Sequence, residues 1–161
     1  MGRDACIGLK PADNESGGTV TDFDPLSSIR RFFDAENEFC AAEPEKRDIQ
    51  VMLAELDPDV VVQVPDSLPH GGTWRGHDGF RELFDVVVRE WRVFEVVYDE
   101  TRWHQIDDRR VLVEGALRGV LRESGHPVEM PVLSVFTFTE RGASFLDHYY
   151  KDTAAIVSAG R

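Results

Sequence analysis

Apolar residues recur at helical spacing in three segments of the first two thirds of the chain. Asp24-Pro25 supplies an N-cap followed by a proline at the first helical position, and predicts a helix that runs to about residue 42. Its predicted inner face carries Leu26, Ile29, Phe32, Phe33, Phe39 and Cys40. Similar spacing predicts a short second helix over residues 48–56 and a third over residues 77–92.

After the third helix the period of the pattern changes from helical to alternating. Residues 93–105, 110–122, 127–139 and 143–152 alternate between apolar and polar, and turn-forming pairs separate them. A short β-branched strand is predicted over residues 60–64, followed by a long loop over residues 65–76. A last helical turn is predicted over residues 153–157.

This order of elements predicts an α+β fold in which a curved antiparallel sheet packs on three helices and forms a cone. Long antiparallel strands coil, so the concave face of the sheet must be covered, and the first and third helices are the candidates. The space between them is the expected ligand cavity. With 161 residues the chain has room for one core, so we expect a single domain over residues 23–161. Residues 1–22 contain Gly, Asp and Asn without periodicity, and we expect them to form a flexible tail.

Charge and composition exclude several classes of function. The net charge of -12 would repel nucleic acid and anionic membranes, and the apolar runs are too short to span a bilayer. The first residues do not resemble a secretory signal, so we expect a cytoplasmic protein. The histidines are too scattered for a zinc site on one element, and we expect neither a metal nor another cofactor.

Three local patterns carry a resemblance to a known family. They are residues 71–80 (GGTWRGHDGF), residues 131–138 (PVLSVFTF) and the closing Tyr150-Lys151-Asp152. In this order and spacing the chain resembles the SnoaL-like family of the nuclear-transport-factor-2-like, ketosteroid isomerase-like superfamily. The resemblance implies a cystatin-like α+β roll with a conical cavity, and a homodimer formed through the outer face of the sheet.

The family's usual acid/base positions carry unusual residues in this sequence. The resemblance places Tyr149 where related cyclases and epoxide hydrolases have an aspartate, and Ser134 where the isomerases and cyclases have Asp or His. The isomerase-type general base corresponds to Val64, which cannot take a proton. The family's known mechanisms therefore do not transfer directly.

Alternation along the last strand then makes Asp147 the leading acid/base candidate. Asp147 shares a face with Tyr149, which the resemblance directs into the cavity, and an apolar cavity would raise the pKa of such a carboxylate. The alternative is an ion pair between Asp147 and Lys151 or an arginine near the rim. His148 has the opposite parity and is expected outside, at a subunit contact.

Other polar residues have a structural and a functional interpretation. His104 lies near a strand end, where it could transfer protons or be simply half-exposed. His70 lies in a glycine-bearing loop at the expected cavity mouth, which could be a lid or a rigid turn. Glu36 follows Phe32 and Phe33 at helical spacing, and could enter the cavity beside Phe33 or lie on a solvated face.

Two hypotheses of function follow from this set of residues. The first is a cofactor-free isomerase or cyclase acting on an apolar polycyclic or polyketide-like substrate, with polyketide cyclisation and epoxide opening as candidate reactions. Asp147 and Tyr149 would handle protons, and Ser134 and His104 would orient oxygens. The second is a non-catalytic ligand-binding or assembly module with the same fold. Large aromatic residues would form the cavity wall or belong to the core: Trp74, Trp91, Trp103, Phe136 and Phe138.

Overall fold

The computed structural model describes residues 23–160, so the predicted tail and Arg161 lie outside the described residues. In chain order the elements are α1 (Pro25–Ala41), a 3₁₀ turn (Pro44–Lys46), α2 (Gln50–Leu53), β1 (Leu56–Val64), β2 (Gly72–Arg75), α3 (Gly76–Glu90), β3 (Trp91–Asp107), β4 (Arg110–Leu121), β5 (Pro127–Thr139), β6 (Gly142–Tyr150) and α4 (Thr153–Ala159).

Helix α1 begins where the sequence predicts and turns one apolar face to the sheet. The side chain of Asp24 accepts a hydrogen bond from the backbone N–H of Leu26 at 3.1 Å, which satisfies one free donor of the first turn. The buried face of the helix includes Ile29, Phe32, Phe33, Glu36 and Phe39. This buried face is apolar except for Ser28 and Glu36.

Helix α3 covers the part of the concave face that α1 leaves open. An arginine binds its C-terminal end. Its inner face buries Phe80, Leu83, Phe84 and Val87. At its C-terminus the guanidinium of Arg122 donates to the carbonyl oxygens of Val88, Arg89 and Trp91 at 2.8–3.1 Å. The positive charge also offsets the negative end of the helix dipole.

The six strands form one mixed sheet in the order β2-β1-β6-β5-β4-β3. Strands β3 to β6 form the predicted antiparallel meander, whereas β1 runs parallel to β6, so the sheet is not antiparallel throughout. Part of the predicted loop over residues 65–76 is also a strand, because β2 forms a hairpin with β1. Strand β1 begins at Leu56, which shortens the predicted second helix.

Curvature of the sheet leaves a hollow that α1 and α3 cover. Irregularities in the pairing of β3 with β4 fall at three places along the strands, and such bulges bend and twist a sheet. The apolar side chains of the two helices and of the concave face form one continuous core. The α+β class with a curved sheet on helices is therefore confirmed, as a curved open mixed sheet.

A close contact between Gly119 on β4 and Trp91 provides a test of packing inside this core. A methyl group at Gly119 would lie 2.6 Å from an atom of the Trp91 ring and 2.9 Å from the carbonyl oxygen of Val93. Because overpacking of a filled core is destabilising, we expect Gly119→Ala to lower the free energy of unfolding by about 2 kcal/mol in urea denaturation. Gly160→Ala, whose new methyl group would make only ordinary contacts, should change it by less than about 0.5 kcal/mol.

Candidate functional site

An internal cavity lies between α1, α3 and the concave face of the sheet. The space open to the centre of a water-sized sphere is about 40 Å³, which is room for roughly three water molecules. Its apolar wall comes from both helices and the sheet: Phe32, Phe33, Phe80, Leu83, Phe84, Val87, Val62, Val64, Phe94, Val96, Leu117, Val132 and Leu146. The polar wall consists of Glu36, His70, Ser134, His148 and Tyr150.

The carboxyl group of Glu36 lies in this cavity. The residue is 8% exposed, and its carboxyl makes no hydrogen bond or ion pair with any residue that the structure describes. Because burial penalises the charged form, it raises the pKa of Glu36 from 4.5 to about 8. At neutral pH the carboxyl group is mostly protonated and close to its titration midpoint, as suits a group that gives and takes a proton.

A neutral Ser134–His148 pair forms the second polar part of the wall. Ser134 on β5 and His148 on β6 are directly opposite in the strand register, and Ser134 Oγ lies 2.8 Å from His148 Nδ1. Burial lowers the pKa of His148 to about 4, and the nearby carboxylate of Asp147 only partly offsets that effect. The imidazole is therefore neutral at physiological pH, with one donor and one acceptor nitrogen.

A third polar group joins Tyr150 to the turn that precedes β2. His70 Nε2 lies 3.4 Å from Tyr150 Oη, and Trp91 Nε1 donates to His70 Nδ1, also at 3.4 Å. Burial lowers the pKa of His70 to about 4, with a further effect from His148, and burial raises the pKa of Tyr150. Both side chains are thus neutral hydrogen-bonding groups across the working pH range.

The turn that carries His70 is closed and pinned to the core. Leu68 N donates to Pro65 O and Gly71 N donates to Leu68 O, at 3.0 and 2.9 Å. The side chains of Leu68 and His70 are both buried. Of the two interpretations of this segment, the structure favours a rigid turn over a lid.

The predicted orientation of β6 is wrong by one residue. Tyr149 is 54% exposed, and its hydroxyl donates to Asp147 Oδ2 at 2.5 Å on the outer face, so these two side chains do not enter the cavity. The pairing of β5 with β6 shifts register between Thr137 and Phe138. Beyond this bulge Ser134 lies opposite His148, which turns His148 and Tyr150 inwards.

His104 also lies away from the cavity. Its side chain is 54% exposed on the outer face, where Nε2 lies 2.8 Å from a carboxylate oxygen of Glu114. The same carboxylate accepts from Arg102 at 2.6 Å, so this is a surface ion-pair network. The expectation that His104 orients a substrate oxygen is not supported by this placement.

The aromatic residues expected as cavity walls divide into two groups. Phe33 lines the cavity, as expected. The others do not line it and lie in or against the surrounding core: Trp74, Trp91, Trp103, Phe136 and Phe138. Phe136, for example, packs edge-on against both Phe32 and Phe33, at 5.9 and 5.6 Å between ring centroids. These residues support the inner shell of phenylalanines that contacts the cavity.

The sequence predicts Glu36, His70, Ser134 and Phe33 at the cavity, but it does not predict two of the cavity's polar residues there. His148 was expected on the outer face, and Tyr150 was noted only as part of a closing motif. Leu146 is fully buried and has the same parity as both. In the sequence, however, the adjacent Phe145 is also apolar and has the opposite parity, so alternation alone does not select the inner face.

The described part of the chain contains neither a metal-binding cluster nor a membrane-spanning helix. Among residues 23–160 there is no cluster of three or more His, Cys, Asp or Glu side chains placed to hold a metal ion. Within the same range no helix is long and apolar enough to cross a membrane.

Comparison with known proteins gives matches at the level of family and fold. The family model described as a SnoaL-like domain matches residues 29–144. A search of curated proteins finds no match. Solved structures with the same fold include an NTF2-like protein of unknown function from Burkholderia pseudomallei, with 22% sequence identity over 84% of this chain and 95% of that chain and a TM-score of 0.70.

Two other similar structures have names that refer to a ligand or an activity. TerC, co-crystallised with polyporic acid, is 20% identical over 85% of this chain and 98% of that chain, with a TM-score of 0.71. A proposed SnoaL-like polyketide cyclase from Jannaschia sp. CCS1 is 15% identical over 84% and 91% of the two chains, with a TM-score of 0.65. At these identities the likeness concerns the fold, and the family model covers most of the chain. The chain therefore belongs to the SnoaL-like domain family.

Proposed function

We propose that this protein is a cofactor-free enzyme that acts on a compact, apolar carbonyl compound. It removes a proton from the carbon next to the carbonyl group and returns it. The observation that carries the proposal is the buried Glu36 carboxyl, which has no hydrogen-bond partner within residues 23–160 and faces an apolar cavity shared with neutral hydrogen-bonding groups. A buried carboxyl with a pKa of about 8 is both a usable base and a usable acid near neutral pH.

The proposed reaction has two proton transfers and no redox step. The Glu36 carboxylate takes a proton from the carbon next to the carbonyl, and the electrons of that C–H bond form the enolate, whose charge rests on oxygen. Hydrogen-bond donors on the opposite wall stabilise that oxygen. Protonated Glu36 then returns its proton to the same or another carbon, which gives exchange or isomerisation.

The size and chemistry of the cavity define the substrate class. Room for roughly three water molecules admits a small cyclic or branched carbonyl compound, and a polycyclic ligand requires the phenylalanine side chains to change rotamer. Enolisation is also the first step of an aldol-type ring closure, so the proposal is compatible with the cyclase name of the Jannaschia protein. The substrate proposed here is an enolisable ketone.

Hydrogen–deuterium exchange at the carbon next to the carbonyl of cyclopentanone tests this proposal directly. In D₂O, followed by proton NMR, the wild-type protein should accelerate the exchange, with a rate that rises with pH through about 8 as Glu36 ionises. Glu36→Gln should reduce the protein-dependent rate by about 100-fold, because an amide cannot accept the proton.

The matched control is Glu38→Gln, which removes a carboxylate from an exposed position on the same helix. This variant should exchange cyclopentanone at the wild-type rate. If the protein binds cyclopentanone without accelerating exchange, the ligand-binding alternative replaces the enzyme. If Glu36→Gln exchanges as fast as the wild type, another group is the base.

A further inference from the structure

We infer that Trp91 and His70 are positioning residues that fix the Tyr150 hydroxyl as a hydrogen-bond donor into the cavity, creating a subsite for a carbonyl or enolate oxygen. This inference rests on the proposed function, because it names the group that holds the substrate oxygen while Glu36 moves the proton. It depends on the direction of the two hydrogen bonds that join Trp91, His70 and Tyr150 into a hydrogen-bond chain.

Counting protons along this chain leaves a single arrangement. An indole nitrogen can only donate, so the contact of 3.4 Å between Trp91 Nε1 and His70 Nδ1 makes Nδ1 the acceptor. A neutral imidazole carries its one proton on the other nitrogen, here Nε2. That nitrogen lies 3.4 Å from Tyr150 Oη, so it donates and the tyrosine oxygen accepts.

The hydroxyl proton of Tyr150 is then left without a partner among the residues that the structure describes. Its oxygen receives the proton of His70, so its own O–H points away from that histidine, and no other described side chain or backbone group is hydrogen-bonded to it. Tyr150 lines the cavity together with Glu36, whose charge contributes to raising the pKa of Tyr150. A free donor in an apolar space recognises an acceptor, and a ketone oxygen fits this requirement.

Packing holds the chain of groups in place. The His70 ring is 1% exposed and meets Trp91, Phe94 and Tyr150 edge-on, at centroid distances of 6.0–6.1 Å. The Trp91 indole is itself clamped against Gly119, where a side chain would collide with the ring. Buried rings cannot rotate freely to exchange partners, so the direction of donation is built into the fold.

The tautomer of His70 is measurable in the full-length, ¹⁵N-labelled protein by long-range ¹H–¹⁵N correlation of the imidazole ring. We expect one tautomer with the proton on Nε2 in the wild type. Trp91→Phe keeps an aromatic ring but removes the donor, and should give a mixture of both tautomers. The control is Trp74→Phe, because Trp74 donates to the backbone oxygen of His70 and not to its ring, so the tautomer should not change.

A proton on Nδ1 of His70 in the wild type would overturn the inference. So would a Trp91→Phe protein that folds and keeps a single Nε2 tautomer. If Trp91→Phe does not fold, the tautomer of His70 in the wild type still decides the direction of hydrogen-bond donation from Trp91 to Tyr150. A loss of stability alone would not produce a mixture, which separates positioning from a structural role.

The oxygen subsite is tested by the infrared carbonyl band of bound cyclopentanone. In the wild type a hydrogen bond from Tyr150 should move the band to lower frequency, and Tyr150→Phe should abolish this shift and weaken binding about tenfold. An unshifted band, or no binding of cyclopentanone, overturns the subsite. Glu36→Gln should keep the shift while losing exchange, so failure of the subsite is distinguishable from failure of the proposed proton transfer.

Discussion

The free energy of unfolding should pass through a maximum near pH 6.5 and fall by about 1 kcal/mol between pH 6.5 and pH 8. The alkaline fall comes from Glu36. Between pH 4.5 and 8 the folded protein holds a proton on Glu36 that the unfolded chain has released. Stability therefore decreases as the pH rises through this range.

The acid side of the maximum comes from the two cavity histidines. Burial lowers the pKa of both His70 and His148 to about 4, whereas unfolded histidine has a pKa of 6.5. Between pH 4 and 6.5 the unfolded chain thus holds two protons that the folded protein does not, and stability rises with pH. This rise exceeds the opposing effect of Glu36, since two groups act against one.

Urea denaturation followed by tryptophan fluorescence at pH 5, 6.5 and 8 measures this profile. Glu36→Gln should remove the alkaline fall, and its stability should rise slightly from pH 6.5 to pH 8 because the unfolded histidines finish releasing their protons in this range. Glu38→Gln should keep the wild-type profile. A wild-type protein as stable at pH 8 as at pH 6.5 would show that Glu36 titrates near its ordinary pKa, and would remove the basis for its acid/base role.

Phe33→Ala should destabilise the protein by about 3–5 kcal/mol and at the same time enlarge the cavity. Phe33 lies on the cavity wall and stacks on Tyr98 with a centroid distance of 5.5 Å, while its edges meet Phe32 and Phe136. Removing the ring leaves an apolar space, and such spaces bind apolar ligands of matching size. We therefore expect the variant to bind 1-indanone about tenfold more tightly than the wild type does.

Phe39→Ala is the matched control, because Phe39 lies on the buried face of the same helix but does not line the cavity. It should lose a similar amount of stability without gaining affinity for 1-indanone. Urea denaturation gives the stabilities, and isothermal titration calorimetry gives the affinities. Equal gains in both variants would mean that the ligand enters a newly opened core rather than the cavity.

The fold was predictable where the pattern of residues is long and its ends are marked. Strand β5 was predicted with the bounds it has in the structure, because turn residues stand at both ends of an alternating run. Strand β2 was missed because four residues that include Gly72 carry too little pattern to reveal pairing. The parallel pairing of β1 with β6 joins distant segments and leaves no local signal.

The candidate site was predictable from helices better than from strands. Glu36 is related to Phe32 and Phe33 by helical spacing, which local sequence fixes. The face of a strand instead depends on its register with a neighbour, and that register depends on hairpin geometry. The contacts of Trp91 with His70 and of His70 with Tyr150 join residues that are 21 and 80 positions apart, which only the folded chain reveals.

The bulge in the β5–β6 hairpin has a consequence for how sites change in evolution. Near the turn Thr139 pairs with Gly142, and continuing that register would place Asp147, rather than His148, opposite Ser134. Loss of this bulge without a change in chain length would rotate the remainder of β6 by half a turn about its axis. An interior presenting imidazole and phenol would become one presenting carboxylate and phenol. In this architecture a single bulge next to a solvent-exposed turn can thus select the chemistry of the interior without any substitution inside it.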